Sequence, residues 1–132
     1  MERLEIQDED DLYRRILGRH VYPDGQIKSN AFKRSGRPER QPSVDVARRT
    51  TEEECVARAP GPGWGMAVLT AGDVRSIPPL DVIHDPVEPD PAAGLPNPAH
   101  AYIHWLADDE RGMELCDRLA VKSRLLRRPE KR

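Results

Sequence analysis

The chain has 132 residues, one domain's worth, with 33% charged, 37% hydrophobic and only 5% aromatic side chains, and 13 prolines. Its formal net charge of -2 argues against a dedicated nucleic-acid or membrane-surface protein, and no apolar run approaches the roughly 18 residues that a membrane span needs. Cys55 and Cys116 share no C-x-x-C spacing and the opening "MERLEIQDEDD" has no apolar signal core, so two reduced thiols in a cytoplasmic protein are expected. Arginines outnumber lysines by 17 to 4, and alanine, glycine and proline are plentiful. All four have GC-rich codons, which points to a bacterial source.

Charge is arranged in blocks. Residues 1–13 carry -5, residues 14–50 carry +7, residues 51–110 carry -9 and residues 111–132 carry +5. Such blocks neutralise one another in a fold or leave one face free for an anionic partner.

In chain order, residues 1–11 read as an acidic leader. Asp10 or Asp11 is placed to cap a helix over "LYRRILG", with Leu12 and Ile16 on one face and Gly18 as its stop. "YPDGQ" is a turn, because Pro23 presets φ and Asp24-Gly25 supplies a left-handed position. "QIKSNAF" fits a short strand or a loop, and residues 33–42 form an exposed basic loop. "SVDVARR" alternates as a short strand, with Val44 and Val46 opposite Asp45. "TTEEECVARA" starts a helix at Thr50 or Thr51, its three glutamates placed where the helix dipole favours them. "WGMAVLT" is the strongest strand, and Thr70 caps a short helix that Pro78-Pro79 breaks. "LDVIHD" alternates again, and residues 86–98 form a proline-rich loop. "AHAYIHW" is a strand whose His100, Tyr102 and His104 share one face and whose Ala101, Ile103 and Trp105 share the core face. A long C-terminal helix is expected over residues 108–128, with Leu115, Leu119 and Leu126 near one face. The fold class is α+β: a small mixed or antiparallel sheet with a few helices, all in one domain, residues 1–132.

Three of the four histidines, His84, His100 and His104, fall within adjacent candidate strands. On a strand His100 and His104 share a face but stand about 13 Å apart, too far to chelate one ion together. A catalytic zinc needs three such ligands, and the intervening residues form no H-E-x-x-H. No metal and no cofactor are therefore expected. Asn97 and Pro98 fix the chain's entry into the strand, and His100 then satisfies a nearby carbonyl or serves an organic ligand. His100 and His84 are the candidates for catalysis. Cys55 lies among glutamates, which raise a thiol pKa, and Cys116 lies on a core face, so both are structural. "GPGWG" matches neither a P-loop nor a complete dinucleotide fingerprint.

"KRSGRPERQPSVDVARR" carries six basic groups, five of them arginine, whose planar forks suit phosphate and carboxylate. Arg34, Arg37, Arg40, Arg48 and Arg49, together with Asn97, are the candidate binding residues. The combination "LYRRI", "SNAF" and "SVDVARR" resembles the openings of small ADP-ribosyltransferase-like domains. That resemblance covers under half the chain and implies that Arg14 and Ser43 lie on the cofactor side. The place of the family's late-strand catalytic glutamate is held by His100 and His104.

The leading expectation is a small accessory protein that docks on a larger, acidic protein partner through its arginines and the proline-rich loop. No membrane is involved, and nucleic acid is not the expected partner. The alternative is a nucleotide-binding or ADP-ribosyltransferase-like enzyme whose site joins the basic block to His84 and His100. A concave pocket shared by His100 and the arginines favours the alternative.

Overall fold

The computed structural model describes residues 4–33, 41–87, 96–104 and 110–130. These build a six-stranded sheet in which every pairing is antiparallel. Its strands are β1 (Asp11–Ile16), β2 (Ser43–Val46), β3 (Gly65–Thr70), β4 (Asp81–His84), β5 (His100–His104) and β6 (Arg124–Arg127), in the order β4-β5-β2-β1-β3-β6. Three helices accompany it: α1 (Glu52–Ala57), α2 (Ala71–Arg75) and α3 (Glu110–Lys122). The α+β class holds.

Residue alternation divides the sheet into two unlike faces. Leu12, Ile16, Val44, Val46, Ala67, Leu69, Val82, Ala101 and Ile103 join one apolar core with Phe32, Val74, Leu115 and Leu119. The registers Leu12↔Leu69, Leu12↔Val46 and Val82↔Ile103 bring these side chains side by side across the strands. The opposite face carries Tyr13, Arg15, Ser43, Asp45, His100 and Tyr102, and α1 lies over part of it, packed on β1 and β3. Residues 65–69 of β3 are all buried, as expected of a strand covered on both sides.

Several local signals act as their chemistry dictates. Thr51 Oγ1 accepts the Glu54 N–H at 3.1 Å and so starts α1. Thr70 and Asp73 cap α2 reciprocally. Gly25 takes φ +93 in the Pro23–Gly25 turn, where only glycine is unstrained. The "SNAF" run is a 3-10 turn (Ser29–Phe32), and the Ser29 hydroxyl donates to Asp117 on α3.

Two expectations are corrected. Residues 12–18 form no α-helix: Leu12 to Ile16 lie in β1, and Gly18 opens a short 3-10 turn (Gly18–His20). The Leu12–Ile16 spacing of four suits a strand face as well as a helical one, and β1 pairs along its whole length with β3 and at Leu12 and Tyr13 with β2. Asp10 caps no helix; it closes a turn by accepting the Gln7 N–H at 2.7 Å. Nor does a long C-terminal helix run over residues 108–128. The chain leaves α3 at Ser123, whose N–H still reaches Leu119 O at 3.1 Å, and Arg124–Arg127 then pairs with β3. Gly65 allows this approach, since a Cβ there would collide with Arg127 O and lie 2.6 Å from Pro129 N. Leu125 and Leu126 thus belong to an edge strand, and Met113 on α3 is exposed. At the ends of the proline-rich loop, Val87 and Asn97 exchange backbone hydrogen bonds of 2.9 Å, an isolated antiparallel bridge beyond the β4–β5 ladder.

A cationic cleft at the parting of two central strands

The β1–β2 ladder ends at Tyr13↔Asp45. Beyond it β1 continues with β3 alone as far as Ile16↔Gly65, while β2 continues with β5 back to Ser43↔Tyr102. The two strands part, and a cleft of about 660 Å³ opens there. Its lining is Arg14, Arg15, Arg19, His20, Asn30, Lys33, Ser43, Pro60 and Trp64. A volume of this size accommodates a small-molecule ligand.

Arg14 sits on the same side of β1 as the fully buried Leu12 and Ile16, so its charge points toward the core side of the sheet. Its Nε donates to Ala31 O at 2.8 Å and its Nη1 donates to Ser43 O at 2.7 Å across the parting. Neither partner carries charge. Burial, with the Arg15 cation alongside and only the Cys116 thiol opposing, pulls the Arg14 guanidinium down to about 10, still protonated at neutral pH. Arg19 and Lys33 are exposed at the cleft and, like Arg14, have no carboxylate partner among the described residues.

His20 adds a proton donor rather than a charge. Its Nδ1 accepts the Leu17 N–H at 2.9 Å, so in the neutral ring the proton resides on Nε2. Burial, followed by Arg19, Arg14 and Lys28, lowers its pKa to about 4. Trp64 and Pro60 give the cleft an apolar wall.

Arg15, one residue on, points to the other face and is neutralised. Asp45, only 1% exposed, accepts from Arg15 Nη1 at 3.1 Å and from Asn97 Nδ2 at 2.9 Å, and Arg58 Nη1 lies 3.5 Å away. Arg15 also donates to Cys55 O. Burial, with Asp45 beside it, pushes the Cys55 thiol up to about 12. Its inertness has that origin rather than the helix glutamates. Cys55 and Cys116 are both buried and unbridged.

The sequence-derived candidates distribute as follows. Ser43 lines the cleft and its Oγ lies 3.2 Å from His100 Nε2. His100 Nδ1 lies 2.8 Å from Asp85 O, the nearby carbonyl. Arg14 and Ser43, the pair implied by the family resemblance, meet directly through the Arg14 Nη1 bond. His84 is buried away from the cleft: its Nδ1 accepts the Leu4 N–H at 2.7 Å and its Nε2 faces Pro98 O at 2.8 Å. Asn97, also buried, bonds Asp45 and accepts the Ala99 N–H at 3.1 Å. Arg48 is committed to Asp10 at 2.6 Å, and Arg49 is exposed with no ion pair among the described residues. Arg34, Arg37, Arg40 and Trp105 lie outside the described residues. Lys33 and Ser43, on either side of the basic run, both line the cleft.

Sequence reasoning did not single out Arg15, Arg19, His20, Lys33 or Trp64. The one available signal was the even spacing that sets Arg14 between Leu12 and Ile16, an arginine in a core phase. Among the described residues no three His, Cys, Asp or Glu side chains cluster closely enough to hold a metal ion, and no helix is long and apolar enough to cross a membrane. No protein-family model, no curated protein and no solved structure matches the chain.

Proposed function

We propose that this chain binds a phosphate-bearing small molecule of nucleotide size in the cleft between β1 and β2. The observation that carries the reading is Arg14: a crowded cation that two carbonyls hold in place and no carboxylate neutralises among the described residues. A half-buried cation held without a counter-charge directs its field into the cleft, where an anion would meet it. Arg19 and Lys33 add two further charges with no carboxylate partner among the described residues, and Trp64 offers a flat surface for a base or another apolar group. His20, kept neutral, donates without adding to the charge.

Isothermal titration calorimetry with inorganic phosphate, pyrophosphate and AMP tests this. Saturable binding that weakens with salt is expected, and Arg14→Met should lower the affinity about 10- to 100-fold, the scale of one charge-assisted hydrogen-bonding group. No heat from any of the three anions, or equal affinity in Arg14→Met, would overturn it.

A second reading is an accessory protein docking on an acidic partner. Arg49, exposed and without an ion pair among the described residues, favours it. The unbridged thiols agree with a reducing compartment for either reading.

A further inference from the structure

The cleft contains one group that binding does not need. Ser43 lies at its edge, and its hydroxyl is 3.2 Å from His100 Nε2. The other nitrogen of that ring, Nδ1, stands 2.8 Å from the backbone carbonyl of Asp85. A carbonyl only accepts, so Nδ1 carries the ring proton and Nε2 of the neutral imidazole is left as the acceptor. The Ser43 O–H therefore donates to Nε2. This is the polarity in which a histidine takes a proton from a serine as that serine attacks.

The backbone holds this arrangement firmly. Ser43 pairs with Tyr102 and Asp45 pairs with His100 in the β2–β5 ladder, so the serine and the histidine stand on the same face of adjacent strands. The Asp85 N–H donates to His100 O at 2.8 Å, which ties the orienting residue to the residue it orients. The Asp85 carboxylate lies 3.9 Å from Nδ1. On the other side, Arg14 grips the carbonyl of Ser43 itself at 2.7 Å, which sets a guanidinium beside the same residue.

We propose that Ser43 is a nucleophile activated by His100, and that it takes the phosphoryl group of a phosphomonoester seated in the cleft. The proposal rests on the cleft being an anion site. In the first step Ser43 Oγ forms a bond to phosphorus and the bond from phosphorus to the ester oxygen breaks. The hydroxyl proton moves to His100 Nε2, while the departing oxygen, in line on the far side of phosphorus, takes a proton from solvent and leaves as an alcohol. In the second step water attacks the phosphoserine from that far side and releases a proton to solvent. The Oγ–phosphorus bond breaks, Oγ recovers its proton from Nε2, and inorganic phosphate is released. The cations of the cleft offset the charge on the phosphoryl oxygens throughout.

The experiment pairs p-nitrophenyl phosphate turnover with calorimetric binding of inorganic phosphate, on the whole chain. Wild type should release nitrophenolate and show a phosphoryl group on the peptide containing Ser43 by mass spectrometry. Ser43→Ala and His100→Gln should each reduce release by about 100-fold or more while still binding phosphate. The glutamine amide can still donate to Asp85 O, and far-UV circular dichroism verifies that both variants are folded. Phosphate binding without turnover or labelling in wild type would overturn the serine mechanism and leave the anion site standing. Turnover that persists in folded Ser43→Ala would also overturn it, as would cleavage of p-nitrophenyl acetate but not of the phosphate. Absence of phosphate binding in wild type would remove the cleft reading itself.

Discussion

Arg14 and Arg15 are neighbours in sequence and opposites in circumstance. Arg15 meets a buried carboxylate, Asp45, which Asn97 and Arg58 also approach. Among the described residues Arg14 meets two carbonyls and no carboxylate, at the wall of a cleft. The strand's alternation sends one guanidinium to each face, and the residues waiting there decide what it does. A cation neutralised within the protein serves the fold. A cation held in place without a counter-charge keeps its field for something outside the chain.

The sharpest way to break this contrast is at Asp45. Asp45→Ala leaves Arg15, Arg58 and Asn97 without their shared acceptor in a buried setting, and should destabilise by about 3–5 kcal/mol in urea denaturation, as breaking a buried pair does. Arg14→Met should change stability by less than about 1 kcal/mol, since the carbonyls it leaves are reachable by water through the cleft. If the methionine variant were as unstable as the alanine variant, Arg14 would be a structural residue like its neighbour.

A smaller effect is expected at His20. Its folded pKa of about 4 lies below the ordinary 6.5. Between those values the unfolded chain takes up a proton that the folded chain refuses, so stability is full above about pH 6.5 and declines as the pH falls toward 4. Asp10 and Asp81 contribute at the acid end only. Burial would raise each carboxyl, but Arg48 and the Gln7 N–H, and Arg75 and the Val82 N–H, hold them below the usual range. The urea midpoint should therefore drop more between pH 7 and pH 5 in wild type than in His20→Gln. Adding phosphate should reduce the drop, because an anion in the cleft favours the imidazolium. An equal drop in both proteins would mean that neither burial nor the neighbouring cations hold the His20 pKa down.

The smallest effect belongs to the surface. Arg49→Glu should alter stability by less than about 0.5 kcal/mol and leave phosphate affinity within about twofold, because an exposed charge is screened and Arg49 is not a cleft residue. A loss of binding comparable to that in Arg14→Met would show that diffuse positive charge, rather than one placed guanidinium, attracts the anion.

The elements legible in the sequence were those with local causes. Thr51 and Thr70 cap their helices, Gly25 turns the chain, and the alternation in "SVDV", "LDVIHD" and "AHAYIH" gives β2, β4 and β5 their faces. What was not legible depended on distant partners. Leu12 and Ile16 satisfy a helical or an extended face equally, and only the strands on both sides settle β1. Leu125 looks like helix until Ala67 is opposite it. The cleft draws Arg14, Lys33, Ser43 and Trp64 from separate segments, and no spacing within one segment announces such a meeting. Asp45 was placed opposite its valines correctly, yet nothing nearby in sequence reveals that Asn97 and Arg58 converge on it.

The order of the strands carries a consequence for how the molecule assembles. β4 and β5 are neighbours in the sheet and in sequence, so they can zip early. β1, by contrast, must wait for partners as remote as Leu69, and β6 must find β3 after α3 has formed. Pairings between distant segments are slow, because a large loop is closed before any contact compensates for it. The parting between β1 and β2 exists only when both central strands are docked. Appearance of ligand affinity during refolding should therefore coincide with the last kinetic phase, and an anion in the refolding buffer would slow unfolding while leaving the early collapse untouched.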